Sequence, residues 1–166
     1  MRPLNQPPAK VVLTNPVHFL AFGLGSGLSP VAPGTTGTMA AIPLAWLMAE
    51  YLTLPLYLAV TLVAMVVGFW ICGRSSEMLG VHDHRGIVWD EFVGYFITMI
   101  AVPQTWYWIL LGFLLFRFFD IFKPWPAKQF DASLHNGVGI MIDDVIAGLY
   151  ALACMHLCIY GYNHWL

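Results

Sequence analysis

The chain has 166 residues, 59% of them hydrophobic and only 10% charged, with a formal net charge of −2. An ordinary soluble domain carries about 25% charged residues. The deficit places the chain among integral membrane proteins and predicts a single domain over residues 1–166, with a soluble all-helical bundle as the alternative for the fold alone.

Residues 1–16 carry Pro3, Pro7, Pro8 and Pro16 but no long apolar core. A flexible N-terminal segment is expected there, and no secretory signal peptide. Next comes a stretch rich in Gly, Pro and hydroxyls, from Gly23 to Thr38. Five apolar segments follow: Thr38–Leu54, Leu56–Cys72, Phe92–Val102, Trp106–Phe119 and Val145–Tyr162. The first two and the last are long enough to cross a bilayer core. The middle pair is short and broken by Pro103-Gln104. It makes sense if Asp90-Glu91 begins the third helix and Asp120 finishes the fourth. A spanning chain must satisfy its backbone hydrogen bonds internally, and no alternating barrel strands occur, so the fold expected is all-α. It is a polytopic membrane bundle of about four to five apolar helices behind a Gly/Pro-rich loop. Cys72, Cys154 and Cys158 lie inside apolar runs and read as buried free thiols. No Arg stands six positions after any of them.

Orientation follows from Lys and Arg. With the N-terminus cytoplasmic, five crossings put Arg2, Lys10, Arg74, Arg85, Arg117, Lys123 and Lys128 on one face and no basic residue on the other. This agrees with the positive-inside rule and predicts a cytoplasmic active face.

Seven of the nine acidic residues fall in two stretches: Asp83, Asp90 and Glu91, then Asp120, Asp131, Asp143 and Asp144. Carboxylates at the edge of hydrocarbon are costly and persist when a metal, a partner charge or a substrate compensates them. Neighbouring helical residues point roughly 100° apart. One acid of each pair, Asp90-Glu91 and Asp143-Asp144, would therefore face an ion, with Asp120 beside them. Helix-dipole stabilisation of acids in a first turn is the ordinary alternative. Oxygen ligands without thiols favour a hard ion, Mg²⁺ before Mn²⁺ or Ca²⁺. Trp89-Asp90-Glu91-Phe92-Val93-Gly94 and Ile142-Asp143-Asp144-Val145-Ile146-Ala147-Gly148 share a pattern that chance could also produce.

Arg117, Asp120 and Lys123 are spaced i, i+3, i+6 and share a face if the helix continues that far. They read either as salt bridges or as an anion clamp, in which Arg117 and Lys123 meet phosphate oxygens. The Gly-rich segment, with Ser29, Thr35 and Thr36 as candidate ligands, could offer N–H groups to an anion at a helix start. It could equally be a closely packed turn, and it lacks a nucleotide-binding Gly-Lys-Ser/Thr. His82-Asp83-His84 has no third His or Cys nearby, which weakens a zinc site. His18, His135, His156 and His164 read as structural.

Four segments resemble the phosphatidylglycerophosphatase A family: Gly25-Ser26-Gly27-Leu28-Ser29-Pro30 with Ala32-Pro33-Gly34-Thr35, Ile87–Gly94, Phe116–Pro126 and Gly139–Gly148. The match runs from about His18 to Tyr150. The resemblance implies a Mg²⁺-dependent lipid phosphatase of the bacterial inner membrane that converts phosphatidylglycerophosphate to phosphatidylglycerol and phosphate. It carries over Asp83, Asp90, Glu91, Asp120, Asp143 and Asp144 as site residues, with Arg117 and Lys123 beside them. Lipid is the expected partner, with no nucleic acid and no obligatory protein. No Cys-x5-Arg loop or Asp-x-Asp-x-Thr/Val motif is present, so metal-activated water is the expected nucleophile. Asp144 or Glu91 would orient or deprotonate it, and a phospho-enzyme through Asp83 or Asp90 is the other route. A phosphatidyl or phosphoalcohol transferase would need an Asp-x2-Asp-Gly-x2-Ala-Arg pattern, which is missing. An ion carrier would need acids at mid-membrane.

Overall fold

A computed structural model describes residues 7–81, 84–123, 125 and 137–165, and every described element is helical. The helices are α1 (Ala9–Thr14), α2 (Pro16–Ala21), α3 (Pro33–Tyr51), α4 (Leu54–Leu79), α5 (Trp89–Thr98), α6 (Trp106–Phe122) and α7 (Gly137–Trp165). Start and stop signals are local. The Asn15 side chain accepts from the Val17 and His18 N–H groups to cap α2. Pro33 opens α3 at a position where its missing N–H costs nothing. Gly80, at φ 65°, ends α4 in the left-handed conformation.

By length and composition, α4 and α7 qualify as membrane-crossing helices among the described residues. The expected four to five spans are therefore realised as helices but not all as full-length apolar ones. The reason is visible in each: α3 begins with Gly34-Thr35-Thr36-Gly37-Thr38, α5 stops after 10 residues, and α6 has 17. The outer face of α4 exposes Leu56, Val63, Val66 and Trp70. An apolar face of that extent suits lipid, not water.

The core lies around α5, whose residues from Glu91 to Thr98 are all buried. Phe92, Tyr95 and Phe116 are fully enclosed. Helix α5 packs on α7 where two glycines meet. A Cβ on Gly148 would stand 2.5 Å from Gly94 O, and one on Gly94 would stand 2.7 Å from Asp144 O. Only bare backbone permits this approach.

The Gly-rich segment forms a short 3-10 turn, Ser26–Leu28. Of its two readings, the geometry is that of the closely packed turn. A Cβ on Gly86 would stand 2.9 Å from Gly27 O, so the two backbones touch directly. Val88 N–H also donates to Ala21 O at 2.8 Å, tying the start of α5 to the end of α2. His18 is buried and bonds Ser75 at 2.8 Å through Nδ1, consistent with a structural role.

Gly94→Val and Gly148→Val are each expected to destabilise the fold by about 1–3 kcal/mol through overpacking. Gly161→Ala, where nothing lies within 4 Å of the added atom, should leave the melting temperature in detergent unchanged. Equal melting temperatures for all three variants would refute the crossing.

Candidate active site

At one end of the bundle, the starts of α3, α5 and α7 and the end of α6 surround an open cleft of about 420 Å³. Asp90, Glu91, Asp120, Asp143 and Asp144 line it, together with Arg85, Arg117, Lys123 and Thr35. Ligand oxygens of Glu91, Asp120 and Asp144 lie within 4.8 Å of one another. One acid of each adjacent pair thus converges, as the 100° helical step requires. Glu91 and Asp144 are buried.

The pairs enter this cleft differently. Asp90 and Glu91 occupy the first turn of α5, and Asp90 Oδ1 accepts from Glu91 N–H at 3.0 Å. Asp143 and Asp144 do not open their helix, because α7 already begins at Gly137. They sit nearly two turns inside it, where free N–H groups and the helix dipole no longer account for them.

Basic groups bind these carboxylates tightly. Arg117 Nη1 donates to Glu91 Oε2 and to Asp120 Oδ2 at 2.8 Å. Glu91 Oε2 also accepts from Thr38 Oγ1 at 2.8 Å. Arg117 Nε is buried without a hydrogen-bond partner among the described residues. The i, i+3 pair of Arg117 and Asp120 is as the spacing predicts. The i+6 extension is not: α6 ends at Phe122, and Lys123 turns left-handed at φ 43°. Its Nζ donates instead to Asp143 Oδ2 at 2.5 Å.

Five carboxylates and three basic side chains share the cleft, a formal excess of two negative charges. An all-oxygen donor set with that excess fits a hard divalent cation. Glu91, Asp120 and Asp144 are the residues that would hold it.

Of the hydroxyls singled out in the Gly-rich segment, only Thr35 lines the cleft. Ser29 Oγ donates to Val31 O at 2.8 Å, and Thr36 Oγ1 donates to Pro33 O at 2.8 Å. Asp83, Asp131, His82, His135 and Lys128 lie outside the described residues. Three contributors escaped the sequence reading. Thr38 was placed at a helix start, although Pro33 signals an earlier one. Arg85 served only to orient the chain. Gly34 admits the Glu91 carboxylate, since a Cβ there would collide with Glu91 Oε1.

Arg117→Gln should destabilise the protein by about 3 kcal/mol, because it strands enclosed carboxylates without their counter-charge. Adding Asp120→Asn should recover part of that loss. Melting temperatures of the single and double variants test this, and additive losses would contradict the pairing.

A family model described as phosphatidylglycerophosphatase A matches residues 19–159. The phosphatidylglycerophosphatase A of Escherichia coli K12 is 44% identical over 158 residues, covering 95% of this chain and 90% of that protein. That of Haemophilus influenzae is 45% identical over 163 residues, 98% of each. A Bacteroides thetaiotaomicron protein, named provisionally as a phosphatidylinositol-3-phosphatase, is 41% identical over 138 residues, 78% of this chain and 84% of that protein. No solved structure matches. Matches of this length and identity, running through every helix that carries a cleft residue, place the chain in the phosphatidylglycerophosphatase A family.

Proposed function

We propose that this protein hydrolyses the terminal phosphomonoester of phosphatidylglycerophosphate, releasing phosphatidylglycerol and inorganic phosphate, at the bacterial inner membrane. The observation that carries this reading is the convergence of Glu91, Asp120 and Asp144 in one cleft, in a chain of this family. Phosphate-monoester hydrolysis is among the slowest uncatalysed reactions. The site must therefore hold and neutralise phosphoryl oxygens and orient a water.

Mg²⁺ is the proposed cofactor, and when bound it would supply a Lewis acid and a water of lowered pKa. The chain's own residues do the rest. Arg117 fixes Glu91 and Asp120 in place through its two ion pairs. Arg117 also lines the cleft, where its guanidinium would meet a phosphoryl oxygen. Asp144 forms no ion pair among the described residues, which supports it as the carboxylate that orients or accepts the proton of the attacking water. Lys123 holds Asp143 at the cleft wall. Thr35, at the start of α3, offers its hydroxyl to the headgroup. Asp90 borders the triad as an outer ligand or a positioning group.

The membrane arrangement proposed is multi-pass, with the cleft on the cytoplasmic side where basic residues gather. With native cysteines replaced, Glu77→Cys near the cleft end should resist an impermeant thiol reagent in intact cells. Thr53→Cys at the opposite end should react. The reverse labelling pattern would invert the topology.

Purified protein should release phosphate from phosphatidylglycerophosphate with Mg²⁺ and lose that activity in excess chelator. Asp120→Asn and Asp144→Asn should abolish turnover or raise the Mg²⁺ requirement, while Asp90→Asn and Asp143→Asn should cost about 10–100-fold. Full activity in all four variants would rule out a carboxylate site here.

A further inference from the structure

Three cations line the cleft, and two are already committed. Arg117 pairs with Glu91 and Asp120, and Lys123 pairs with Asp143. The third, Arg85, is exposed and forms no ion pair among the described residues. A cation bordering five carboxylates without closing on one of them is oriented for something else.

Its backbone is held firmly. Ile87 N–H donates to His84 O at 2.8 Å, closing a turn with Arg85 at its first corner. Gly86 N–H donates to His84 Nδ1 at 3.0 Å within the same turn. His84, Gly86, Ile87 and Val88 are all buried, and the His84 ring packs on Phe22 at 5.5 Å between centroids. The guanidinium is thus mounted on a rigid corner and reaches over the cleft. Preorganisation of this kind lowers the ordering cost of binding.

The proposed substrate carries two anionic groups, a terminal monoester and the diester that joins the headgroup to the lipid. The carboxylate triad is partly enclosed and suits the monoester together with a cation. The diester stays attached to diacylglycerol and must remain at the exposed margin, where Arg85 stands. Lipids named for the relatives differ in their polyol, glycerol in two and inositol in the third, yet both kinds combine a diester with a monoester. Building on the phosphatase reading above, we propose that Arg85 binds the lipid phosphodiester and so sets the reach of the headgroup into the cleft. Its planar fork can hold two diester oxygens at once.

The test uses the full chain in mixed micelles with Mg²⁺. Arg85→Gln should keep the wild-type melting temperature and raise KM for phosphatidylglycerophosphate on the order of tenfold, with a much smaller change in kcat. Arg85→Lys should recover part of the loss. Inhibition by phosphatidylglycerol, which has only the diester, should weaken in Arg85→Gln, while inhibition by inorganic phosphate should not. An unchanged KM overturns the proposal. Weakened inhibition by inorganic phosphate with phosphatidylglycerol inhibition intact also overturns it, because Arg85 would then meet the reacting group. Wild-type protein that releases no phosphate overturns the phosphatase reading and this inference with it.

Discussion

The site depends on how closely α5 and α7 cross. Glu91 precedes Gly94 by three residues and Asp144 precedes Gly148 by four, about one helical turn in each case. Contact between the two glycine backbones therefore sets the acid-bearing turns side by side. Any side chain at either glycine would separate the helices and pull the carboxylates apart. Helix α6 is registered against the same crossing. Phe116 is fully buried, meets the Tyr95 ring at 6.4 Å between centroids, and fills the space beside Gly94. Asp120, one turn beyond Phe116, is thereby carried to the other two acids. A packing constraint of bare backbone and aromatic rings, with no charged group of its own, determines the polar geometry.

Bringing three carboxylates within 4.8 Å is unfavourable unless the charge is offset, and a half-enclosed setting raises the penalty. Arg117 supplies one positive charge shared between Glu91 and Asp120. Thr38 adds a neutral donor to Glu91. With Lys123 and Arg85 also counted, the five carboxylates of the cleft keep a formal excess of two negative charges, which is the deficit a divalent ion would fill. Full neutralisation by protein cations would have made a more stable bundle with nowhere for an ion to bind. The arrangement fits the trade in which a functional site gives up stability for chemistry.

Much of this was legible in the chain. Acid pairs at the edges of apolar runs marked α5 and α7, and the 100° step foretold that one member of each pair would converge with Asp120. The order of the five longer helices followed from hydropathy, whereas α1 and α2 had no apolar run to mark them. Other features were hidden for physical reasons. Gly137–Ile142 offers no long apolar run, so α7 appeared to begin at Val145, and Asp143 and Asp144 looked like first-turn acids. Pro124 in the sequence signals that α6 stops near Lys123, but not that Lys123 would turn left-handed at a φ of 43°. Its change of direction gave the side chain to Asp143 and not to Asp120. The two readings of the Gly-rich segment differ only in what lies opposite it, and Gly86 is distant in sequence. Thr38 acts through a tertiary contact to Glu91, and Arg85 reaches the cleft only through the folded turn that carries it, neither of which spacing encodes.

The position of the cleft relative to the apolar surface bears on how a lipid would reach it. Helix α4 presents unshielded hydrocarbon along much of its length, while the cleft opens where the helices end. Beside Lys123, the large side chains of Ile121, Phe122 and Trp125 are strongly exposed. The Trp125 carbonyl accepts from Tyr150 Oη at 2.9 Å, and Phe118 stacks on Phe122 at 5.5 Å between centroids. Trp and Tyr side chains such as those of Trp125 and Tyr150 settle at the level of lipid headgroups, where one end is apolar and the other wet. In the proposed membrane arrangement, anchoring at that depth would set the cleft level with the phosphates of the surrounding leaflet. A lipid substrate would then need only to turn its headgroup sideways into the acids, with its acyl chains still in the bilayer. This avoids the large hydrophobic cost of lifting the chains into water, so the substrate's binding energy is left for orienting the headgroup.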